Sequence, residues 1–145
     1  MKAVLQRVSR GSVTVDGERI AEISRGLVIL LGVGPDDTRE LVEKLAKKIA
    51  HMRIFQDDDG KMNISVLDIQ GSALVVPQFT LFADTSRGHR PSFVKAAPPD
   101  IARPLSNYFA SCLIELGVPT QQGKFGAHMH VEIHNDGPVT IEIEM

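Results

Sequence analysis

The chain has 145 residues, of which 43% are hydrophobic and 23% charged, and its formal net charge is −2. A chain of that size buries enough surface to stand without disulfides. Its balanced charge excludes a globally basic nucleic-acid binder, so any RNA contact must come from a local patch. The single cysteine, Cys112, excludes an internal disulfide, and no apolar run reaches the roughly 18 residues of a membrane span.

The length suits one domain, residues 1–145. The opening MKAVLQRVSRGSVTV is interrupted by Gln6, Arg7, Ser9 and Arg10 and lacks the apolar core of a signal peptide, so the expected location is the cytoplasm. SVTVDGERIAEI (12–23) alternates on both sides of Asp16 and Gly17, which predicts a hairpin. GLVILLGVG (26–34) is continuously apolar and predicts a strand buried on both faces, and GVGP (32–35) a strand-to-helix turn. Asp37 and Glu40 have capping-box spacing ahead of Leu41, Leu45, Ile49 and Met52, which recur at helical period.

QDDDGKMN (56–63) predicts a solvated turn. Its acids lack the alternate spacing and distal glutamate of a calcium loop. SALVVPQFTLFAD (72–84) predicts a strand despite Pro77, and TSRGHRPSFVKAAPP (85–99) a polar, basic loop. Residues 100–117 predict a second helix, capped by Asp100, striped by Leu105, Phe109 and Leu113 and ended by Gly117, with Pro104 near the first turn. From Ala127 to Met145 the pattern has period 2 on both sides of Asn-Asp-Gly-Pro, which predicts a terminal two-stranded hairpin with one apolar face. The fold class is α+β: layered or barrel-like mixed sheets with two helices packed outside.

His128, His130 and His134 share one strand face, where a metal or plain solvent could meet them. Cys112 falls in the apolar part of its helix and reads as packing. No Gly-x-Ser-x-Gly elbow or phosphate-binding glycine loop is present. Two places break a strand pattern, PQFTLFAD and NDGPVT. Such breaks free backbone groups to face a ligand, or mark an edge strand and a tight turn.

In order along the chain, MKAVLQRVSRGSVTV, GLVILLGV, DGKMNISVLDIQG, QFTLFAD, RPSF and GKFGAHMHVEIHNDGPVT resemble the D-aminoacyl-tRNA deacylase family, bacterial and eukaryotic type. Its Asn-x-Gly-Pro-Val-Thr signature matches at Asn135 to Thr140. Its Ser-Gln-Phe-Thr signature matches at Gln78, Phe79 and Thr80, with Pro77 where the serine stands.

The resemblance implies a homodimer with active sites at the subunit interface. The substrate would be a D-amino acid, or glycine, esterified to the 3′ end of tRNA. It implies no metal or organic cofactor. Gly137 and Pro138 would form a cis pair, an isomer that proline makes accessible, lent to the other subunit to reject L side chains by close backbone approach. Arg7 would hold that pair, and Phe125 and Met129 would line the site. Gln78, Phe79 and Thr80 would be catalytic, the last two through backbone N–H groups at an oxyanion. Thr80 could instead be a nucleophile, although no base stands beside it in sequence. Arg87, Arg90 and Lys95, with His89, would meet RNA phosphates. The alternative function is a non-catalytic tRNA- or ligand-binding module on the same scaffold.

Overall fold

Alternating burial over the first fifteen residues builds β1 (Lys2–Val15), the strand on which the sheet is organised. In the computed structural model, which describes all 145 residues, β1 pairs antiparallel with β2 (Glu18–Ile23) along Gly11 to Val15 and with β3 (Gly26–Gly32) along Lys2 to Val8. The β1–β2 connection is the predicted hairpin, with Asp16 and Gly17 both at positive φ. As its apolar run predicts, β3 is buried almost throughout: Leu27, Ile29 and Leu31 join one core cluster and Val28 the other.

Helix α1 (Arg39–Ala50) crosses from β3 to the next parallel strand. Its cap is Thr38, whose hydroxyl accepts from Leu41 N at 3.3 Å; Asp37 does not cap it. The Asp37 carboxylate is occupied elsewhere, accepting from Gly34 N at 2.6 Å and from the Met1 ammonium at 2.7 Å. A small hairpin of β4 (Phe55–Gln56) and β5 (Met62–Ile64) follows, and its turn is closed by Asp57, which accepts from the backbone of Asp59 and Lys61.

Strand β6 (Ser72–Pro77) is parallel to β3 and stops at Pro77. The predicted strand to residue 84 is therefore corrected: Phe79–Phe82 is a 3-10 turn. Helix α2 (Pro99–Glu115) begins one residue before the predicted start, with Pro98 in the cap position and Pro99 opening the helix, so Asp100 lies in the first turn and is not the cap. Pro104 is correspondingly inside the helix, on an exposed position where water can satisfy the carbonyl that loses its donor.

β7 (Thr120–Gln122) runs parallel to β6, giving the order β2-β1-β3-β6-β7 with β8 (His130–Glu144) on the other edge of β1. The predicted terminal hairpin is overturned. Residues 130–144 are one strand, and both arms pair with β1.

The sheet curls until its edges β2 and β7 meet. Gln121 closes the gap through its side chain, accepting from Glu22 N at 2.9 Å and donating to Glu22 O at 2.6 Å. The concave face encloses Val8, Val13, Val15, Ala21, Ile23, Val28, Leu74 and Val76. The convex face packs beneath α1 and α2 through Leu45, Ile49, Phe109 and Leu113. This is the expected α+β class, a nearly closed barrel-like mixed sheet with two helices outside. No helix is long and apolar enough to cross a membrane.

Because one side chain supplies both bonds across the seam, Gln121→Ala should lower unfolding free energy by about 1–2 kcal/mol in urea titration. An unchanged midpoint and slope would mean that apolar packing alone shuts the barrel.

Candidate active site

The break in NDGPVT is an excursion from a continuous ladder. β1 advances from Gln6 to Val8 while β8 runs from Thr140 back to Asn135, so Arg7 alone faces Asp136, Gly137, Pro138 and Val139. Those four residues cannot fit in the plane of the sheet and bulge from it. Asn135 clasps the two ends: its Oδ1 accepts from Val139 N at 2.9 Å and its Nδ2 donates to Thr140 Oγ1 at 2.9 Å. Beneath, the guanidinium of Arg7, only 6% exposed, donates through Nε to Asp136 O at 2.9 Å and through Nη1 to Ile54 O at 2.7 Å. Gly137 and Pro138 stand exposed at the crest, joined by a cis peptide bond. Gly137 has φ +134°, and a Cβ there would lie 2.8 Å from Arg7 Nη2 and 2.9 Å from Val139 Cγ2. That backbone and that space leave glycine as the residue that fits.

A cleft of about 550 Å³ opens where β6 ends. Its walls are mostly apolar and include Leu31, Val76, Pro77, Gln78 and Phe79 from the sheet and turn, Phe125, His128 and Met129 from the segment leading into β8, and Val131 from β8 itself. Phe79, 57% exposed, meets Phe93 edge-to-face with ring centroids 5.2 Å apart. Gln78 bonds Leu31 O through its backbone N–H at 2.8 Å and donates its side-chain amide to Thr80 Oγ1. The N–H groups of Phe79 and Thr80 open the 3-10 turn, where the first donors have no acceptor within the turn. An apolar cleft bordered by a turn whose first amides lack acceptors within it is suited to hold an acyl group and to meet negative charge developing on its carbonyl oxygen.

Of the residues singled out from sequence, Gln78, Phe79, Phe125 and Met129 come together in this cleft, with Thr80 bonded to Gln78 beside it. Arg7, Gly137 and Pro138 form the separate excursion and are not among the walls. Arg87 and Arg90 lie in exposed bends. Lys95 pairs with Asp84 at 3.0 Å; hydrogen bonds from Ser86, then Lys95, hold the Asp84 carboxyl well below the usual range. His128 lines the cleft, His130 and His134 are exposed on β8, and no three ligating side chains gather as a metal site would require. Burial pushes the Cys112 thiol up, which suits packing rather than nucleophilic work.

Sequence reasoning missed the third wall, made by Phe93, Ala96, Ala97, Pro99, Ala102 and Ser106. Its signal was small residues, Ala102 and Ser106, four apart on the buried face that continues to Phe109 and Leu113. Ser106 Oγ is buried without a hydrogen-bond partner.

Fold and site together define an α+β protein with a ligand-sized cleft at one end of a curled sheet and a glycine-proline crest on its longest ladder. Residues 4–144 match the family model described as D-Tyr-tRNA(Tyr) deacylase, and the chain belongs to that family. It is 57% identical over 144 residues to a D-aminoacyl-tRNA deacylase of Thermomicrobium roseum, covering 99% of this chain and 94% of the relative. A D-aminoacyl-tRNA deacylase of Deinococcus radiodurans is 53% identical over the full length of both chains, 145 residues. Among solved structures, "c-Myc DNA Unwinding Element Binding Protein" superposes with TM-score 0.94 at 45% identity, covering 100% of this chain and 99% of that one. A second, from "Structural Analysis of a probable eukaryotic D-amino acid tRNA deacylase", gives TM-score 0.84 at 17% identity over 99% and 98% of the two chains, which speaks to the fold.

Arg7 should be costly to remove, since Ile54 O and Asp136 O would both lose their donor. Arg7→Met is expected to destabilise by about 2 kcal/mol, and Arg7→Lys by less because one donor survives, in denaturant unfolding. A loss under about 0.5 kcal/mol for Arg7→Met would assign the excursion's shape to Asn135 alone.

Proposed function

We propose that this protein hydrolyses the ester of D-aminoacyl-tRNA, and of glycyl-tRNA, releasing the amino acid and free tRNA in the cytoplasm. The observation that carries the reading is the pairing of features within a family of such deacylases: an apolar cleft edged by the Gln78–Thr80 turn, and an exposed Gly137–Pro138 crest outside that cleft. A crest that does not wall its own cleft is free to enter another. The working unit is therefore a homodimer in which each copy lends Gly137 and Pro138 to its partner's site.

In that arrangement main chain approaches the substrate's chiral carbon. An L side chain would occupy space taken by Gly137, while a hydrogen there clears it. Steric rejection by backbone is the stronger device, because filling or emptying a pocket by one methylene separates ligands by only about 10- to 200-fold.

The ester is already activated, so catalysis needs positioning and charge stabilisation. Water attacks the carbonyl carbon, oriented by the neighbouring ribose 2′-OH. The oxygen that becomes negative is met by Phe79 N–H and Thr80 N–H. The tetrahedral species then expels the ribose 3′ oxygen, which takes up a proton as the carboxylic acid forms. Thr80 Oγ1 accepts from the Gln78 amide and has no basic group bonded to it, so it serves to orient Gln78 rather than to attack.

Purified protein is expected to release D-tyrosine from D-tyrosyl-tRNA and to spare L-tyrosyl-tRNA. Hydrolysis of both alike would remove chiral selection, and binding without turnover would leave a binding module. Thr80→Ala should keep activity within about tenfold if the backbone does the work; abolished turnover in a folded protein would restore the hydroxyl as nucleophile. Gly137→Ala is expected to lower the rate on the D-ester by about 100-fold or to open the site to the L-ester, since a displaced crest is misplaced by tenths of an ångström or more. Wild-type kinetics on both enantiomers would exclude the crest from the site.

A further inference from the structure

Helix α2 gives the cleft Ala102 and Ser106, and between them it carries Arg103 to the outside. The Arg103 guanidinium lies over the ring of Phe125, with Cζ 5.1 Å from its centroid, and Phe125 is itself a wall of the cleft. Arg103 is therefore tied to the rim through an aromatic residue of the site. It is exposed, and it enters none of the ion pairs of the chain. Lys124, which precedes Phe125 in the chain, is likewise exposed and unpaired.

Other cations compare poorly. Lys95 is neutralised by Asp84, and Arg87 and Arg90 sit in exposed bends and enter no ion pair. A guanidinium stacked on a ring keeps its N–H edges free while losing rotamer freedom, which suits it to bind phosphate in a planar, two-pronged manner. The protein's net charge of −2 makes such a local, uncompensated cation the means by which a polyanion could be drawn to this rim.

We propose that Arg103 is a positioning residue that grips a backbone phosphate of the RNA just upstream of the esterified nucleoside, fixing the acceptor end over the cleft. This rests on the deacylase reading, and it adds a contact that acts on the RNA and not on the amino acid. The contact is sequence-independent, as phosphate contacts are.

The test compares D-tyrosyl-tRNA with D-tyrosyl-adenosine, the same ester with no upstream phosphate. Arg103→Ala is expected to raise KM for the tRNA substrate roughly tenfold with kcat little changed, and to leave both constants for D-tyrosyl-adenosine at wild-type values. The dependence of log KM on log salt should fall by about 0.7, the share of one single-strand phosphate contact. Arg103→Lys should recover part of the loss. Equal damage on both substrates would overturn the proposal, assigning Arg103 to the shape of the cleft through Phe125, and no effect on either would overturn it as well. Arg103→Gln, which keeps a polar side chain on the helix, is the second variant should the alanine form unfold, and the same outcomes apply. Binding of uncharged tRNA by wild type and Arg103→Ala, followed by fluorescence anisotropy, reads the contact without hydrolysis. A wild type that cleaves neither ester but binds tRNA more tightly than Arg103→Ala, and with the steeper salt slope, would overturn the deacylase reading and uphold the contact, whereas identical binding by both proteins would overturn the contact.

Discussion

The ladder between β1 and β8 is the constraint from which the rest of this structure follows. β1 is paired on both edges, and β8 follows it from Lys2 to Thr14. Two registers are thereby fixed, one on each side of Arg7, and β8 has three residues more than β1 can match between them: four against one. The surplus has nowhere to go but outward. Its shape is then set by groups that would otherwise be orphaned: Asp136 O by Arg7, Val139 N by Asn135, and Thr140 Oγ1 by Asn135 Nδ2. Pro138, which has no N–H, sits where no ladder bond is owed. The proline that looks misplaced in a strand is well placed on the crest of an excursion.

The same surplus changes which face of the sheet β8 feeds. Val131 and Ile133 pack against the concave cluster, whereas Val139 and Ile143 belong to the cluster beneath the helices. β1 makes the matching change by its own irregularity between Val8 and Arg10, so Val13 faces inward and Leu5 outward. One strand pair thus stitches both cores. The excursion is consequently held between two packed arms, which is how an exposed glycine-proline pair can be placed firmly enough to act as a surface of recognition.

This explains what could and could not be read from the sequence. β3 and α1 were legible because burial on two faces, or on one stripe, writes a local pattern. The terminal segment was misread because period 2 on both sides of Asn-Asp-Gly is what a hairpin and a face-switching strand have in common. Telling them apart requires knowing that both arms share β1 as partner, which no local window contains. The cap of α1 went to Thr38 because Asp37 is claimed by Met1, 36 positions away in sequence, and by Gly34. Of the residues that wall the cleft, the resemblance named Gln78, Phe79, Phe125 and Met129. The wall from α2 was not foreseen, since Ala102 and Ser106 are ordinary helix residues until the sheet's end is brought beneath them.

The departure at Pro77 can be weighed on the same terms. A strand residue normally supplies an N–H to its neighbour, and proline has none to give. Here the register pairs Pro77 with Leu31, yet the donor that reaches Leu31 O is the N–H of Gln78, at 2.8 Å. The ladder therefore ends one residue later than the side-chain pairing, and the proline removes no bond that β3 requires. That final bond also anchors Gln78, whose amide in turn holds Thr80 as the chain tightens into the 3-10 turn. The two amides that open the turn are set by Gln78 and the turn, not by the residue at 77. A serine hydroxyl is absent from the wall, but the groups proposed to meet the developing oxyanion keep their frame.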